Sequence, residues 1–157
     1  IPSRDKESKN LIKKSKCGAE FFTTQVLCDS DNIIKMINNY QNRCNAIGTF
    51  PRRILLSFAP VSNQKNIDFL KWLGVEIPGD TEKYLNGRPG SMTERSLDVA
   101  IEVLNEILDY ISNNNLKVPV GLNVEHIMSY NFQSSVEMLQ ELAKIYREFC
   151  IKSKQYG

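Results

Sequence analysis

The chain lacks the features that mark several large classes of protein. Its 157 residues contain no apolar run long enough to cross a bilayer, and no signal-peptide pattern opens the sequence. The net charge is only +2, so nothing indicates nucleic acid as a partner. Neither a Walker loop nor a G-x-G-x-x-G motif is present. We therefore expect neither a membrane nor a nucleic acid as a partner.

Cysteine is present but shows no metal-binding pattern. Cys17, Cys28, Cys44 and Cys150 have neither C-x-x-C spacing nor the Cys/His spacing of a zinc site. We expect them to be reduced and to pack as small hydrophobic residues in a cytoplasmic protein that binds no metal. With 41% hydrophobic residues, the chain can bury a core as one domain over residues 1–157.

Helix-like and strand-like segments alternate along the chain. The patterns predict strands over residues 19–26, 53–59 and 118–126. They predict a first helix that begins at a cap, either Asp5 or Ser8, and ends at residue 17, and a second helix that begins at residue 31 and includes Tyr40. Three further helices are predicted over residues 64–73, 91–113 and 132–152. The 64–73 helix is expected to cover the sheet with residues that include Trp72, and the last helix to bury Leu139. Residues 78–90 are predicted to be a loop because they hold two prolines and three glycines.

This alternation favours an α/β fold with a parallel sheet covered by helices. Only three complete strands are visible, and Ile1 resembles the end of an element whose beginning is absent. We expect the carboxyl-terminal half of a (β/α)8 TIM barrel, and a small open sandwich is the alternative. The half-barrel explains the abrupt start better.

The last predicted strand has one apolar face and one small, polar face. Val118, Val120, Leu122 and Val124 alternate with Gly121, Asn123 and Glu125. An edge strand with one wet face and a strand that lines a site are both consistent with this pattern. We favour the site because α/β folds bind ligands at the carboxyl ends of their strands. His126 points to the opposite face and is expected to pack rather than to act as a base.

Two other strand ends are polar in the same manner. Gln25 ends the first predicted strand, and Ser62 and Asn63 follow the second. With Asn123 and Glu125 they would lie at one mouth of a parallel sheet, where amides and a carboxylate can hydrogen-bond a heterocycle. Taken singly, each of these residues is equally consistent with ordinary turn or capping chemistry.

The first helix carries a basic face. Asn10, Lys13 and Lys14 are spaced i, i+3 and i+4, so they lie on the same side of the helix. A solvated surface is one interpretation, and contact with the anionic or ribityl part of a cofactor such as a flavin is the other.

With these residues in view, the chain resembles the carboxyl-terminal half of the methylenetetrahydrofolate reductase family. The similarity lies in Asn10-Leu-Ile-Lys-Lys14, Gly18-Ala-Glu-Phe-Phe-Thr-Thr-Gln25, Pro60-Val-Ser-Asn63, Val75-Glu-Ile-Pro78 and Val120-Gly-Leu-Asn123. The resemblance implies a barrel that uses FAD and NADH or NADPH to reduce 5,10-methylenetetrahydrofolate to 5-methyltetrahydrofolate. That reaction belongs to one-carbon metabolism and methionine biosynthesis.

The resemblance also assigns roles to residues. It implies a catalytic role for Gln25, which would contact the pterin ring and the nicotinamide region. Glu125 is the only acid among the polar strand ends and is the other expected catalytic residue. The resemblance implies flavin contacts from Glu7, Asn10, Lys13 and Lys14. Substrate contacts are expected from Thr24, Gln25, Ser62, Asn63, Phe69 (or its neighbour Leu70) and Asn123. The chain departs from the family's Leu-Asn-Arg motif at the last strand and lacks the histidine-proline pair of the flavin loop near residues 1–5.

The family's general acid and its flavin-tuning aspartate would both precede Ile1. We therefore expect no reductase activity from this polypeptide alone, since the iminium-forming step needs that acid. Three interpretations follow: half of a reductase-like barrel, as a fragment or part of a split enzyme; a non-catalytic folate- or flavin-binding module; or a half-barrel assembly subunit. An amino-terminal half-barrel chain or a second copy is the expected macromolecular partner.

Overall fold

The computed structural model describes residues 4–87 and 89–155, which form helices around a small sheet. The predicted stub at Ile1 lies outside these residues. The elements are α1 (Arg4–Lys16), β1 (Phe21–Val26), α2 (Asp31–Ala46), β2 (Arg53–Phe58), α3 (Gln64–Trp72), α4 (Gly79–Leu85), α5 (Met92–Asn113), β3 (Val120–Val124) and α6 (Phe132–Gln155), with a 3-10 turn at Ser129–Asn131 before α6.

The sheet is parallel, with strand order β1-β2-β3. Register fixes the faces, because Ile54, Leu56 and Phe58 of β2 pair with Val120, Leu122 and Val124 of β3. The ladder between β1 and β2 is irregular after Thr23. There the backbone N–H of Ser57 donates to Thr24 Oγ1 at 2.9 Å. The predicted parallel arrangement is confirmed.

The main core lies on one face of the sheet. Ile54, Leu56 and Phe58 are buried there against apolar side chains from α2, α5 and α6. A smaller apolar cluster contains Val61 and Leu85 and lies beside the β2–α3 turn. Three parallel strands covered by helices are what the alternating sequence pattern predicts. On the opposite face, which carries Leu55 and Ser57, Leu55 belongs to neither apolar cluster.

Local chemistry explains where several helices begin and end. α1 ends before Gly18, which has φ +100° and so adopts a backbone conformation that favours glycine. α5 begins with a capping box, in which Ser91 and Glu94 each bond the other's backbone N–H. The predicted caps of α1 were wrong, because Asp5 and Ser8 lie inside the helix, which begins at Arg4.

Three further expectations are corrected by the structure. Residues 78–90 contain the helix α4, because Leu85 buries its side chain and so holds this short segment in place despite its prolines and glycines. Trp72 does not cover the sheet but is 78% exposed, since α3 ends there and Ile67 and Leu70 supply its buried face. In α6 the side chains of Met138 and Leu142 are buried in the core, whereas Leu139 is 44% exposed.

Candidate functional site

The strand ends of β2 and β3 form a hydrogen-bonded cluster of Ser57, Asn123 and Glu125, called here the strand-end cluster. Asn123 Nδ2 donates to Ser57 Oγ at 3.0 Å and to Glu125 Oε1 at 3.1 Å. An ionised carboxylate only accepts, so the bond to Glu125 fixes which side of the Asn123 amide is nitrogen. Ser57 and Asn123 are register partners on the face opposite the main core.

The strand-end cluster leaves acceptors for a ligand. Asn123 Oδ1 has no hydrogen bond to the described residues, and neither does the second carboxylate oxygen of Glu125. The Ser57 hydroxyl is fully buried and accepts from Asn123, so it orients the Asn123 amide. The sequence prediction included Asn123 and Glu125 but missed Ser57. Its position, two residues from Leu55 on the non-core face, is the signal that would have found it.

The residues after β2 form a second network, the amide–phenol cluster, which contains Ser62, Asn63, Asn66, Tyr130 and Asn131. Asn66 and Asn131 are buried, and they bond each other at 3.2 Å. Ser62 Oγ lies 3.0 Å from Asn131 Oδ1. Asn63 caps α3 by accepting from the backbone N–H of Asn66. This cluster joins the β2–α3 turn to the turn that follows β3.

Sequence reasoning missed Asn66, Tyr130 and Asn131. Their contacts join segments more than 60 residues apart, and no local spacing in the sequence indicates such a contact. The predicted substrate residues Ser62 and Asn63 are present at this edge, but their side chains bond to the protein itself. Their roles toward a ligand stay predictions.

Gln25 lies at the same edge of the sheet but bonds elsewhere. Its Nε2 donates to the Leu73 carbonyl at 3.2 Å, immediately after α3. Phe69 stacks on the exposed ring of Trp72 in that helix, with ring centroids 5.8 Å apart. Leu70, the alternative to Phe69, is buried in the core and is not available to a ligand. The three predicted strand ends thus share one edge, but their hydrogen bonds form separate groups.

Two open grooves run along β1. The larger, about 570 Å³, includes three predicted site residues, Glu7, Thr24 and Gln25. The second, about 500 Å³, is lined by Glu7 and Lys14 together with Phe21. The structure therefore brings Glu7 and Lys14 of α1 beside β1, whereas Asn10 and Lys13 line neither groove.

Helix α1 is held in this position by its buried side. Leu11 packs into the core, and Arg43 Nε of α2 donates to Ser8 Oγ at 2.8 Å. Lys13 and Lys14 are exposed and have no carboxylate partner among residues 4–87 and 89–155. Ammonium groups placed in this manner are suited to an anionic ligand such as a phosphate.

The side chains of Cys28 and Tyr130 have altered acidity. Burial, followed by the nearby charge of Asp29, raises the pKa of the Cys28 thiol to about 12. Hydrogen bonds from Asn63 and Asn66 lower the pKa of the Tyr130 phenol, and the charge of Lys65 acts in the same direction. Cys28 is thus a poor nucleophile, whereas Tyr130 is a stronger acid than an ordinary tyrosine.

The remaining predictions concern His126, metals and membranes. His126 is exposed, with its ring edge-to-face against Phe132 at a centroid distance of 5.8 Å. Within the described ranges, no three acidic, histidine or cysteine side chains are grouped so as to hold a metal ion. Over the same ranges, none of the helices combines the length and the apolar character needed to span a bilayer.

Comparisons with known proteins agree with the resemblance seen in the sequence. The model of the methylenetetrahydrofolate reductase family matches residues 1–146. Among solved structures, the chain is similar to one described as "Uncharacterized protein from Clostridium thermocellum binds two copies of 5-methyl-5,6,7,8-tetrahydrofolic acid". The TM-score is 0.76 at 20% sequence identity, and the match covers 88% of this chain and 48% of that one. The likeness shows a shared fold, and this chain spans about half the length of that neighbour. No curated protein matches the chain.

Proposed function

The chain belongs to the methylenetetrahydrofolate reductase family, and we propose that it supplies the carboxyl-terminal half of a folate-binding (β/α)8 barrel of the reductase type. The observation that carries this proposal is the strand-end cluster on the face of the sheet opposite the main core. In a barrel that face is the interior, and its carboxyl edge is where ligands bind. The folate described for the solved neighbour supports the same class of ligand.

The chemistry of the strand-end cluster suits a reduced pterin ring. Such a ring carries N–H donors next to a carbonyl and ring nitrogens. Asn123 Oδ1 and the Glu125 carboxylate are acceptors for these N–H groups, and the fully buried Ser57 hydroxyl orients the Asn123 amide. We propose that Glu125 and Asn123 bind the ring's N–H groups and that Ser57 positions Asn123.

The other predicted contacts lie around this centre. Gln25 would touch the reacting part of the ring through its amide oxygen, since its nitrogen is bound to Leu73. Phe69 offers an aromatic surface that Trp72 holds in place by stacking. Thr24, Ser62 and Asn63 line the same edge, and we propose that they touch substrate only at its periphery.

The α1 surface fits part of a flavin. Lys13 and Lys14 would contact a phosphate, and the half-exposed Asn10 and the exposed Glu7 would bond polar groups of the ribityl chain. Bound there, FAD would carry hydride from NADH or NADPH to the folate. The role of this chain's residues in that reaction is to bind and orient.

The sheet also supports the proposed partner. β1 and β3 each pair with β2 alone within the described sheet, so each has one unpaired backbone edge. Exposed edges of this kind are normally covered in a native protein. We propose that an amino-terminal half-barrel, or a second copy of this chain, covers them. Reductase turnover in one-carbon and methionine metabolism would then belong to the completed barrel.

The experiment measures binding and turnover separately. Isothermal titration of the 157-residue chain with 5-methyltetrahydrofolate is expected to show binding to folded protein. Incubation of the chain with FAD, NADH or NADPH, and methylenetetrahydrofolate is expected to give no methyltetrahydrofolate. Absence of folate binding would overturn the proposed function. Substantial turnover by this polypeptide would instead contradict the half-barrel assignment.

A non-catalytic folate-binding module is the second candidate, favoured by the ligand named for the solved neighbour. The two candidates differ once the barrel is complete. Addition of a matching amino-terminal half-barrel should restore turnover if the chain is part of a reductase. Stable association and folate binding without turnover would favour the module.

A further inference from the structure

The two amides that face Tyr130 in the amide–phenol cluster have fixed orientations. Asn66 Oδ1 accepts from the backbone N–H of Ser62 at 3.0 Å, and Asn63 Oδ1 accepts from the backbone N–H of Asn66 at 3.2 Å. A backbone N–H can only donate, so the oxygen of each amide must point toward it. The nitrogen of each amide therefore points toward Tyr130.

The phenol of Tyr130 consequently accepts twice. Asn66 Nδ2 lies 2.9 Å from the hydroxyl oxygen, and Asn63 Nδ2 lies 3.2 Å from it. A tyrosine hydroxyl has one hydrogen and two acceptor positions, and both acceptor positions are used here. Its hydrogen can go to neither amide nitrogen, so it is left for a third group. The side chain is 59% exposed, which leaves that third position open to a ligand.

The charge around this hydroxyl favours an anionic ligand. Lys65 lies in the first turn of α3 next to Asn66, which bonds the Tyr130 hydroxyl, and Lys65 has no carboxylate partner among the described residues. The first turn of α3 contains no acidic residue. Asp68 lies one turn further along the helix and accepts a hydrogen bond from Gln64. Hydrogen bonds from a hydroxyl to an ionised oxygen are shorter and stronger than those to a neutral one.

We propose that the Tyr130 hydroxyl, together with Lys65 of the first turn of α3, binds a carboxylate of the ligand held at the carboxyl edge of the sheet. This proposal rests on the proposed function, because it assigns a contact to the same folate-type ligand. Tyr130 follows β3 and Asn63 follows β2, so the hydroxyl lies at the edge where the strand-end cluster ends. Ser135 joins the two clusters by bonding the carbonyls of both Glu125 and Asn131.

Tyr84 provides a matched comparison within the same chain. It is also an exposed tyrosine, but its hydroxyl lies 2.9 Å from Asp98 Oδ2. Its hydrogen is therefore donated inside the protein, and that bond raises the pKa of its phenol. Tyr84→Phe therefore removes a hydroxyl whose hydrogen is already donated to Asp98, and it serves as the control for Tyr130→Phe.

The test compares two ligands and two variants by isothermal titration. Tyr130→Phe is expected to weaken binding of 5-methyltetrahydrofolate about ten-fold, which is the loss of one charge-assisted hydrogen bond. It should leave unchanged the affinity for 6-methyltetrahydropterin, which has no carboxylate. Tyr84→Phe should change neither affinity.

The outcomes separate this proposal from the proposed function. Folate binding by Tyr130→Phe within two-fold of the wild type overturns the Tyr130 contact and leaves the proposed function standing. An equal loss for the carboxylate-free pterin also overturns it, because the hydroxyl would then bind the ring. Failure of the wild-type chain to bind folate overturns both.

A second variant tests the orientation without removing the hydroxyl. Asn63→Asp keeps a side chain that caps α3 but replaces the amide donor by a carboxylate, which should take the phenol hydrogen. NMR titration of the Tyr130 ring carbon should show a lowered pKa in the wild type and a raised pKa in Asn63→Asp. A Tyr130 pKa that does not rise in this variant contradicts the assigned geometry.

Discussion

Replacement of Asn66 by alanine tests how strongly the amide–phenol cluster stabilises the fold. The side chain of Asn66 is fully buried and makes three classes of contact. Its oxygen accepts from the Ser62 backbone N–H at 3.0 Å, from Ser62 Oγ at 3.0 Å and from Asn131 Nδ2 at 3.2 Å. Its nitrogen donates to Tyr130. Asn66→Ala removes all of these at once. Without Asn66, the Ser62 hydroxyl can still donate to Asn131 Oδ1.

The loss of stability depends on whether water can replace each hydrogen bond that Asn66→Ala removes. A buried donor left without an acceptor costs about 1–3 kcal/mol, and Asn66→Ala leaves two such donors, on Ser62 and Asn131. The Tyr130 hydroxyl is near the surface, so water can replace the lost bond there at little cost. Ser62 is only half-buried, which lowers its share. We expect the free energy of unfolding to fall by about 3 kcal/mol and Tm to fall by roughly 6–12 °C.

Urea unfolding followed by circular dichroism measures this change. The midpoint should fall while the slope m stays constant, since the surface exposed on unfolding is nearly unchanged. Asn42→Ala on the exposed side of α2 is the control and should change the free energy of unfolding by less than about 0.5 kcal/mol. A loss below about 1 kcal/mol for Asn66→Ala would refute the reasoning that its partners depend on it.

Three further predictions concern the helix cap and the cysteines. Ser91→Ala removes half of the α5 capping box and should lower the free energy of unfolding by about 1 kcal/mol. Urea unfolding measures this loss, with Ser112→Ala at an exposed position as the control. Equal losses in the two variants would contradict the stabilising role of the cap. The exposed Cys17 should react with iodoacetamide well before Cys28, whose pKa burial raises to about 12; equal rates in peptide mapping would contradict that burial. Cys28 binds its proton more tightly in the folded protein than in the unfolded chain, so its contribution to stability is complete below about pH 9 and should be lost as pH rises toward 12. The fall in the free energy of unfolding over this pH range should be smaller for Cys28→Val.

The parts of the fold that the sequence could predict depend on local patterns. The capping box at Ser91 and Glu94, and the apolar stripe through Leu104 and Ile107, locate α5 because both signals lie within the helix itself. The two faces of β3 follow from alternation alone, and the parallel sheet places Gln25 and Glu125 at the same edge. These predictions are confirmed.

The parts that the sequence could not predict depend on contacts between distant segments. α4 exists because Leu85 finds a buried position against α3 and α5, which outweighs the glycines and prolines around it. The amide–phenol cluster joins Asn66 to Tyr130 and Asn131 across 64 and 65 positions. Gln25 turns toward Leu73 because α3 ends beside it, and no spacing in the sequence reveals that neighbour.

The affinity of an Asn123 variant for 5-methyltetrahydrofolate tests most directly whether the strand-end cluster binds the pterin. Asn123→Ala removes the amide that joins Ser57 to Glu125 and presents an acceptor to the ring. Isothermal titration should show binding about ten-fold weaker for both 5-methyltetrahydrofolate and 6-methyltetrahydropterin, and no change for Asn105→Ala on the exposed side of α5. If folded Asn123→Ala bound 5-methyltetrahydrofolate with the affinity of the wild type, the proposal that the strand-end cluster binds the pterin would be contradicted.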